Sequence, residues 1–503
     1  MVGAYAQLAA EGYLETRRGA APVVLRVGPE RGKPPRQASD QPTADARYNL
    51  RPDLPDPALF PRGAWSAAER TALRRAANAD LAYGEPLGAI ALRHRLAPFL
   101  VRTRRVDATS DRTAVFAGST QALHVLASVL REQGGTRIAI EDPGHRWRTR
   151  AVARAGVEVL PVPVDGHGLR VDELPDDVCA VVVSPEHQFP TGARLAPDRR
   201  RALVEWAVES ERLVVEHDYD GWLRYDHSPA GSLQPLAPEH VAYVGSASSL
   251  LVPTVRLGWA VVPARFVIPV ANRVFGTSIA TPRISQLTLA ELIDRGVLDR
   301  QLRRARTSYR ARRRLAETFV SRELSGASVH GAASGLFVHV VLAKGADEAA
   351  VLASARRRGI SLDGTNEHAL TPQPPGLVVG FAALSEPSLR RAIRALGRAV
   401  QPAEVAQARA RLDSTEPRVV DNRRLRRYEL WLGERLAGVL TYTSAGGRVT
   451  LTHIEVEPDL PRDEWSERLV RDALARLRRD GIEVRMVGPT VAADLRGPSI
   501  PEA

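Results

Sequence analysis

Polar side chains that can bind phosphate or transfer protons follow several short apolar runs of the sequence. Gly118-Ser119-Thr120-Gln121 opens a helical pattern, so its backbone amides and two hydroxyl groups could hold a phosphate. His145 follows Glu141-Asp142-Pro143, and two more runs are followed by His187-Gln-Phe-Pro-Thr-Gly192 and Glu216-His-Asp-Tyr-Asp220. Imidazoles and carboxylates in such places can act as general acids and bases. The spacing therefore indicates a site for a phosphorylated ligand, for proton transfer, or for both.

The elements that must position these residues alternate between short β-branched runs and helical patterns up to about residue 400. The strand candidates are Ala114–Phe116, Arg137–Ile140, Cys179–Val183, Arg212–Val215, Val241–Val244 and Trp259–Val262. This alternation predicts a largely parallel sheet with helices on both faces, in which ligands bind at the carboxyl ends of the strands. Ser66 and Glu69 have the spacing of a capping box that opens a helix. Residues 300–400 predict a smaller α+β lobe that ends in a helix over Pro387–Val400.

Composition restricts the class of protein. The 503 residues carry a net charge of +12, and most of the basic residues are arginines. Stretches such as Arg303–Arg314 and Arg468–Arg479 are interpreted as solvated helix faces in preference to a nucleic-acid surface. Neither a membrane span nor a secretion signal is visible, which predicts a cytoplasmic protein. The single cysteine, Cys179, is predicted to be a buried strand residue and excludes an internal disulfide.

Shifts in composition divide the chain into three domains and two linkers. The linkers are rich in proline and polar residues. The predicted order is a domain remnant at 1–28, a linker at 29–44, an α/β domain at 45–400, a linker at 401–418 and a small domain at 419–503.

Gly245–Trp259 reads Gly-Ser-Ala-Ser-Ser-Leu-Leu-Val-Pro-Thr-Val-Arg-Leu-Gly-Trp. With the motifs above, it resembles the cofactor loop of fold-type I pyridoxal 5′-phosphate (PLP) proteins, in the form found in MocR/GntR-type regulators. Ser248, Pro253, Arg256 and Gly258 are in register with that pattern. The resemblance implies an aminotransferase-like three-layer domain with a small α+β lobe.

The resemblance also implies roles for individual residues. Phosphate contacts fall to Ser119, Thr120, Ser248 and Arg256. Tyr83 would reach the phosphate site of a partner subunit, which implies a homodimer. His145 would lie over the pyridine ring of the cofactor, and the segment His217-Asp218-Tyr219 would complete the cofactor site.

Three roles that transamination needs are missing under the same resemblance. Ser249 occupies the position of the lysine, and a serine cannot form an imine with an aldehyde. His217 replaces the aspartate that partners the pyridine nitrogen. Val378-Val379 precede Gly380-Phe381, where transaminating relatives often carry a carboxylate-binding arginine. The chain has only two lysines, Lys33 in the first linker and Lys344 in a polar turn. We therefore predict a pseudoenzyme with a regulatory or ligand-sensing role, which binds PLP or another phosphorylated or amino-acid-like ligand non-covalently.

Four alternatives remain open at the level of sequence. The polar residues could merely cap helices and fill turns, without a ligand. The chain could be an enzyme with lysine-independent chemistry in which His145, His187 or His217 acts as acid or base, or it could be a structural partner protein. The two strand-end histidines with His217-Asp218 could also supply a two-histidine, one-carboxylate metal site.

The N-terminal stretch resembles the end of a GntR-type winged helix-turn-helix. Tyr5, Leu8 and Ala9 share a helical face, Gly12 is a candidate C-cap, and Tyr13-Leu14 with Val23–Val27 predicts a hairpin. The first helices of that module are not in the sequence. DNA binding is therefore expected only if the module is completed upstream.

The C-terminal domain resembles small GNAT-type N-acetyltransferases. It carries His453 and Glu455 on a strand over Val449–Val456, before an amphipathic helix from about Glu464 to Arg479. Asp463, Glu464 and Glu467 stand where a glycine-rich turn would approach the pyrophosphate of acetyl-CoA, and Gly488-Pro489 replaces the Cys-Pro pair. These carboxylates would repel phosphate, so acetyl transfer is not expected.

Overall fold

The structure is a computed structural model. It describes residues 2–11, 13–16, 21–24, 46–82, 84–225, 231–276, 281–402, 405, 417–423, 425–432, 435–445, 448–457, 460, 462–480 and 482–486. The chain divides into two compact units, Met1–Ala44 and Asp45–Ala503. No helix among these residues is long and apolar enough to cross a membrane.

The first unit contains helix α1 (Val2–Ala10) and a short antiparallel pair, β1 (Leu14–Glu15) and β2 (Val23–Val24). The predicted helix and hairpin are thus present, whereas Gly12 and the end of the hairpin at 25–27 lie outside the described residues. Tyr5 and Leu8 are largely exposed on α1, with 49% and 41% of their surface open to solvent.

The central element of the second unit is an eight-stranded sheet. Its strands are β4 (Thr113–Phe116), β5 (Arg137–Asp142), β6 (Glu158–Asp165), β7 (Gly168–Leu169), β8 (Ala180–Val183), β9 (Leu213–Asp218), β10 (Val241–Ser246) and β11 (Gly258–Val261). Their order is β4-β11-β10-β9-β8-β5-β6-β7. Strands β10, β9, β8, β5 and β6 are parallel, and β11 and β7 run antiparallel to their neighbours. The largely parallel sheet that the alternating pattern predicts is therefore confirmed.

Helices cover both faces of this sheet. They are α2 (Arg62–Arg75), α3 (Ile90–Arg104), α4 (Ser119–Glu132), α5 (Arg146–Ala153), α6 (Pro197–Glu209), α7 (Val267–Gly276), α8 (Arg283–Asp294) and α9 (Val297–Glu323). Alternate residues of the strands serve the two sides. Val182 and Val244 share an apolar core with α4 and α7, whereas Val181 packs with α6 and Tyr243 with α3, α8 and α9. The result is a three-layer α/β/α arrangement.

The smaller lobe is built on the antiparallel sheet β12-β13-β16-β15. Its elements are β12 (Ser328–His330), β13 (Phe337–Val341), α10 (Glu348–Arg357), β14 (Ile360–Ser361), β15 (Asp363–Gly364), β16 (Gly376–Gly380) and α11 (Glu386–Ala399). The sequence pattern did not predict strand β3 (Tyr48–Asn49), which pairs in parallel with β14. The chain before α2 therefore also belongs to this lobe.

Two local predictions need correction. Helix α2 begins at Arg62 after Pro61, so Ser66 lies inside the helix and accepts a hydrogen bond from Arg70 instead of capping the helix. Proline ends the preceding extended segment and can directly precede the first helical turn, which explains the early start. Cys179 is half-buried and lies one residue before β8, where its thiol donates to the carbonyl oxygen of Arg137.

The arginine-rich helix α9 is not a uniformly solvated face. Arg312 and Arg313 are buried, with 8% and 4% of their surface exposed. Arg312 donates to Asp56 Oδ2 at 2.6 Å, and Arg313 donates to the carbonyl oxygen of Ser334 at 3.0 Å. Buried arginines need such partners, so these two fix the long helix onto the smaller lobe and the chain before α2 that belongs to it.

The C-terminal sheet has the order β17-β18-β19-β20-β21, with helix α12 packed on one face. The elements are β17 (Pro417–Asn422), β18 (Arg427–Leu432), β19 (Arg435–Ala445), β20 (Arg448–Val456), α12 (Arg462–Arg479) and β21 (Glu483–Met486). Strand β17 starts inside the predicted second linker, whose residues 406–416 lie outside the described chain, as does the whole of 29–44.

Candidate functional site

Two serines meet at the carboxyl end of the sheet. Gly118 precedes α4 with a φ of +108°, and Ser119 is the first residue of the helix. A Cβ on Gly258 would lie 2.8 Å from Ser119 N, so strand β11 approaches this helix end very closely. Ser246 pairs with Gly258 across the strands. Its hydroxyl accepts a hydrogen bond from Ser248 N at 3.1 Å and donates one to Ser248 Oγ at 3.0 Å. The structure thus brings Ser119 and Ser248 to one edge.

The other residues assigned to the phosphate end are placed differently. Arg256 is exposed in a left-handed conformation, with φ 50° and ψ 46°, and lies two residues before Gly258. Thr120 is exposed on the first turn of α4. Tyr83 lies outside the described residues. The grouping of all these residues around one phosphate therefore stays a prediction.

Ser249 is buried in the loop after β10. It is 7% exposed, and its hydroxyl donates to the carbonyl oxygen of Tyr219 at 2.5 Å. Lys344, the one lysine in the described part of the chain, is exposed in the turn after β13. Within the described chain, no amine is therefore placed at this site to form an imine.

His145 follows β5 and joins the site to the chain before α2. Its Nε2 lies 2.7 Å from Asp53 Oδ2, and its ring centroid lies 4.6 Å from that of Phe189. Nδ1 of His145 is buried without a hydrogen-bond partner. Burial lowers the pKa of His145, although the attraction of Asp53 opposes this change.

His217 is enclosed but makes no hydrogen bond through its ring. It is 4% exposed, and both ring nitrogens are buried without a partner in the described part of the chain. Burial, followed by the positive charges of Arg148 and His145, holds the pKa of His217 well below its usual value of 6.5. The imidazole is therefore neutral near pH 7, and it retains one unused donor and one unused acceptor.

Arg148 is a buried cation next to His217. Its Nη1 donates to Ser184 Oγ at 2.6 Å, and its guanidinium carbon lies 5.1 Å from the ring centroid of Tyr219. Nη1 is 3.7 Å from Glu141 Oε2, which is beyond hydrogen-bond length. Nε and Nη2 of Arg148 are buried and have no hydrogen-bond partner among the described residues. Burial raises the pKa of Glu141 to about 7, against the attraction of Arg148, so this carboxyl group balances the cation only in part near neutral pH.

Asp218 points to the opposite side of β9 from His217, as the alternation of a strand requires. Arg104 Nε and Tyr243 Oη donate to Asp218 Oδ2 at 2.6 and 2.7 Å, and Gly221 N donates to Oδ1 at 3.0 Å. Both carboxylate oxygens are thus used within the fold. The predicted contact of Asp218 with a ligand stays a prediction.

His187 is packed as a core residue. Its Nδ1 lies 2.8 Å from Asp220 Oδ2 and 3.2 Å from Tyr219 Oη, and its ring centroid is 4.7 Å from that of Phe337. A Cβ on Gly335 would lie 2.3 Å from the ring of His187. This enclosure and the bond to Asp220 favour a structural role for the imidazole.

Apolar and metal-binding chemistry can both be assessed at this end of the sheet. Phe189, Phe337 and Val378 form a closed cluster in which each is at most 1% exposed. Val378, at the position assigned to a carboxylate-binding arginine, is therefore part of an apolar contact.

The described residues contain no group of three His, Cys, Asp or Glu side chains that could hold a metal ion, and Asp218 is paired with Arg104. The geometry gives the metal hypothesis no support.

The sequence analysis did not identify Arg148, Ser184 and Asp53. Arg148 lies one helical turn after His145, a spacing that places both on one side of α5. Ser184 directly follows β8. The helical spacing was available as a signal for Arg148, but in a chain with so many arginines it does not stand out.

In the C-terminal domain, His453 and Glu455 lie on β20 and are both exposed, on the opposite face from α12. Glu467 is exposed on α12 and accepts a hydrogen bond from Arg471 at 2.9 Å. The side chains of Asp463 and Glu464, and Gly488-Pro489, lie outside the described residues. The lack of acetyl transfer therefore stays a prediction.

Comparison with known proteins supports this architecture. Residues 58–396 match the family model of class I and II aminotransferases, and residues 427–497 match that of GCN5-related N-acetyl-transferases. The solved structure of a Pyrococcus horikoshii kynurenine aminotransferase, in complex with PMP, superposes with a TM-score of 0.65. It is 24% identical, and the match covers 71% of this chain and 91% of that one. This likeness confirms the predicted fold.

Two curated relatives are transcriptional regulators. An uncharacterised HTH-type regulator of Bacillus subtilis, YhdI, is 31% identical over 79% of this chain and 87% of its own. The HTH-type pyridoxine biosynthesis transcriptional regulator PdxR of Corynebacterium glutamicum is 31% identical over 80% of this chain and 87% of its own. The chain therefore belongs to the HTH-type transcriptional regulators that carry a class I and II aminotransferase domain, as the motifs around Gly245–Trp259 predicted.

Proposed function

We propose that this protein is a ligand-sensing transcriptional regulator whose aminotransferase-like domain binds a small phosphorylated ligand without forming a covalent bond. The carrying observation is Ser249, a buried serine in the loop that resembles the lysine-bearing loop of the family. The regulatory relatives support a regulatory role, and the likeness to PdxR, a pyridoxine biosynthesis regulator, makes a vitamin B6 phosphate the first ligand to test.

The residues present fit one end of PLP and not the other. Ser119 opens helix α4, whose N-terminus is a suitable place for a phosphate, and Ser248 lies in the loop after β10 at the same edge of the sheet. When PLP is bound as a cofactor it supplies an electron sink, which requires a carboxylate at the pyridine nitrogen and an imine to lysine. Here His217 and Ser249 stand at those two positions. We therefore propose retention through the phosphate alone and no transamination.

The ligand test compares PLP with pyridoxine 5′-phosphate, which has the same phosphate but no aldehyde. Titration of the full chain, followed by calorimetry and thermal unfolding, should show both ligands binding with similar affinity. Unphosphorylated pyridoxal should not bind. Arg256→Met should weaken both phosphates by about 10-fold or more, since a charge-assisted hydrogen bond contributes about 1.5–3 kcal/mol. Arg300→Met, at an exposed position of α9, is the matched control.

Borohydride reduction and mass spectrometry complete this test. A covalent adduct of PLP with the wild-type chain would contradict the proposal, and so would a failure of both phosphorylated ligands to bind. Conversely, Ser249→Lys should gain an adduct at residue 249 if this residue faces the bound aldehyde. Turnover of an amino acid without any adduct would favour the lysine-independent enzyme instead.

We further propose that the protein acts as a homodimer. Ile268 and Phe275 are seven residues apart on α7, hence on one face of the helix, and are 71% and 77% exposed. Leu81 is 59% exposed near the residue that the resemblance assigns to the subunit interface. Light scattering should report twice the chain mass, and Phe275→Arg should shift the equilibrium toward monomer. A wild-type monomer at micromolar concentration would contradict this assignment.

The proposed domain boundaries remain those at 45–400 and 419–503. The proposed route of regulation is DNA binding by a winged helix that is completed upstream of the N-terminal unit. Phosphate contacts of such a module make affinity fall steeply with salt. An electrophoretic shift with the promoter of the protein's own operon, repeated with and without pyridoxine 5′-phosphate, tests this route. A shift that the ligand leaves unchanged would argue against sensing.

A further inference from the structure

The environment of Arg148 is short of negative charge. The guanidinium is almost fully buried, with 4% of its side chain exposed, and among the residues that the structure describes it makes one hydrogen bond, from Nη1 to Ser184 Oγ. A buried cation is stable only when a counter-charge and hydrogen-bond acceptors replace the lost water. The nearest carboxyl oxygen, Glu141 Oε2, is 3.7 Å away and itself lacks a hydrogen-bond partner. The site therefore lacks an acceptor for the remaining donors.

The free donors of Arg148 have a defined geometry. Nε and Nη2 are the two nitrogens on one edge of the guanidinium, and both are buried without a partner. Their two N–H bonds are parallel, which matches the spacing of two oxygens in a carboxylate or a phosphate. The opposite edge is held by Ser184, and the Tyr219 ring lies 5.1 Å from the guanidinium carbon. Arg148 is thus oriented by the protein before any ligand arrives.

His217 removes the negative charge that the family pattern has at this end of the site. A carboxylate there would neutralise Arg148 and would favour a protonated pyridine nitrogen. The imidazole of His217 has both nitrogens unpartnered and, being neutral, offers an N–H donor without a compensating charge. The site has therefore changed from one that favours a cation to one that favours an anion.

We propose that the Nε–Nη2 edge of Arg148, together with His217, binds the carboxylate or phosphate group of a small anionic ligand. This inference deepens the proposed function and rests on it for the identity of the pocket. It predicts that the natural ligand carries an oxyanion at the end where PLP would place its pyridine nitrogen. PLP, held through its phosphate alone, would leave this oxyanion position unfilled.

The test uses acetate and inorganic phosphate as probes on the full chain, at constant ionic strength, with acetamide as the neutral analogue of acetate. Calorimetry and thermal unfolding should show that at least one oxyanion binds and that acetamide does not. The oxyanion that binds more tightly identifies the group as carboxylate or phosphate. Arg148→Met should weaken it by about 10- to 100-fold, and Arg148→Lys, which keeps the charge without the planar fork, by several-fold. Arg154→Met, exposed at the end of the same helix, is the control.

A readout without ligand separates this role from a structural one. Arg148→Met removes two unsatisfied buried donors, so the variant without ligand should melt at the same temperature as the wild type or higher. A large drop in melting temperature that Arg148→Lys rescues, with no change in oxyanion affinity, would overturn the inference. Failure of both oxyanions to bind the wild type would overturn it as well.

The two proposals fail separately. Pyridoxine 5′-phosphate that binds through Arg256, with no oxyanion effect at Arg148, overturns only the present inference. Oxyanion binding that depends on Arg148, without binding of pyridoxine 5′-phosphate, supports the present inference. It overturns the proposed retention of a ligand through the phosphate contacts of Ser119, Thr120, Ser248 and Arg256.

Discussion

Arg104 and Asp218 form an ion pair that is closed to solvent, with 3% and 1% of their side chains exposed and 2.6 Å between Nε and Oδ2. Tyr243 donates to the same oxygen, and Gly221 N donates to the other. Asp218 follows His217 on β9, but its side chain and Arg104 lie on the opposite face of the sheet from His217. The ion pair therefore fixes the carboxyl end of β9 from that face.

Breaking this pair should destabilise the whole α/β domain. Asp218→Asn leaves Arg104 buried without a counter-charge, so the free energy of unfolding should fall by about 3–5 kcal/mol. Guanidinium denaturation monitored by tryptophan fluorescence measures the change. Arg102→Met, which breaks the more exposed pair with Asp299 at 2.9 Å, should cost no more than about 1 kcal/mol. Equal losses in the two variants would contradict a special role for the buried pair.

Gly335 should tolerate no side chain. It has a φ of +71°, and a Cβ there would lie 2.3 Å from the His187 ring and 2.4 Å from Asp220 Oδ2. Gly335→Ala should therefore lower the free energy of unfolding by about 2–5 kcal/mol, from backbone strain plus displacement of the histidine. Gly134 has a φ of +94° but open space around it, so Gly134→Ala isolates the backbone cost of about 1–2 kcal/mol. Equal losses of unfolding free energy in the two variants would contradict a cost from the clash with His187.

Glu216 should make stability fall as pH rises. Burial, followed by the charge of Asp218, raises the pKa of this carboxyl from 4.5 to about 8. The unfolded chain loses the proton near pH 4.5 and the folded chain only near pH 8, so the stability that is present in acid is lost across that interval. Glu216→Gln should remove part of this slope, on the order of 1.4 kcal/mol per pH unit.

Unfolding free energies at pH 5 and pH 8 measure this slope. Exposed Glu209→Gln is the control variant, and it should leave the slope as in the wild type. An unchanged slope in Glu216→Gln would mean that this carboxyl group is ionised in the fold. The test depends on differences between the two pH values, so a uniform loss of stability in the variant does not affect it.

His217 should make the folding stability fall as the pH decreases. Its folded pKa lies well below 6.5 because burial and Arg148 oppose the charged form. The unfolded chain therefore takes up a proton as pH falls below about 6.5 while the folded chain does not, and stability declines toward acid. His217→Leu should reduce the loss between pH 7 and pH 5.5 by about 1 kcal/mol. Exposed His94→Leu is the control, and an equal effect in both variants would contradict the assignment.

The central sheet could be predicted because its strands are short β-branched runs with polar residues directly after them. His145, His187 and His217 all follow or end such runs, so their common edge was predictable from topology alone. Their separate environments were not, because they depend on which side chains arrive from other elements. Asp53 comes from 92 positions before His145 to meet its imidazole, and Asp220 holds His187. A local pattern contains no information on such long-range partners.

Arginine illustrates a second limit. Arg148, Arg312 and Arg313 have the same sequence surroundings as the exposed arginines of their helices, but each is buried by the packing of the second lobe or the sheet edge. Helical periodicity places them on a face and cannot say whether that face is covered. The β3–β14 pair was missed for a related reason, since a two-residue parallel bridge has almost no periodicity to detect.

Two residues shortly before His145, Asp142 and Gly144, are hydrogen-bonded to the smaller lobe. Asp142 accepts from Leu370 N at 2.7 Å and from Thr371 N at 2.9 Å, and Gly144 N donates to the carbonyl oxygen of His368 at 2.8 Å. A ligand that displaces His145 or the start of α5 must therefore strain these hydrogen bonds between the two lobes. If the ligand-sensing function proposed above holds, these hydrogen bonds connect the ligand site directly to the smaller lobe, without any chemical turnover.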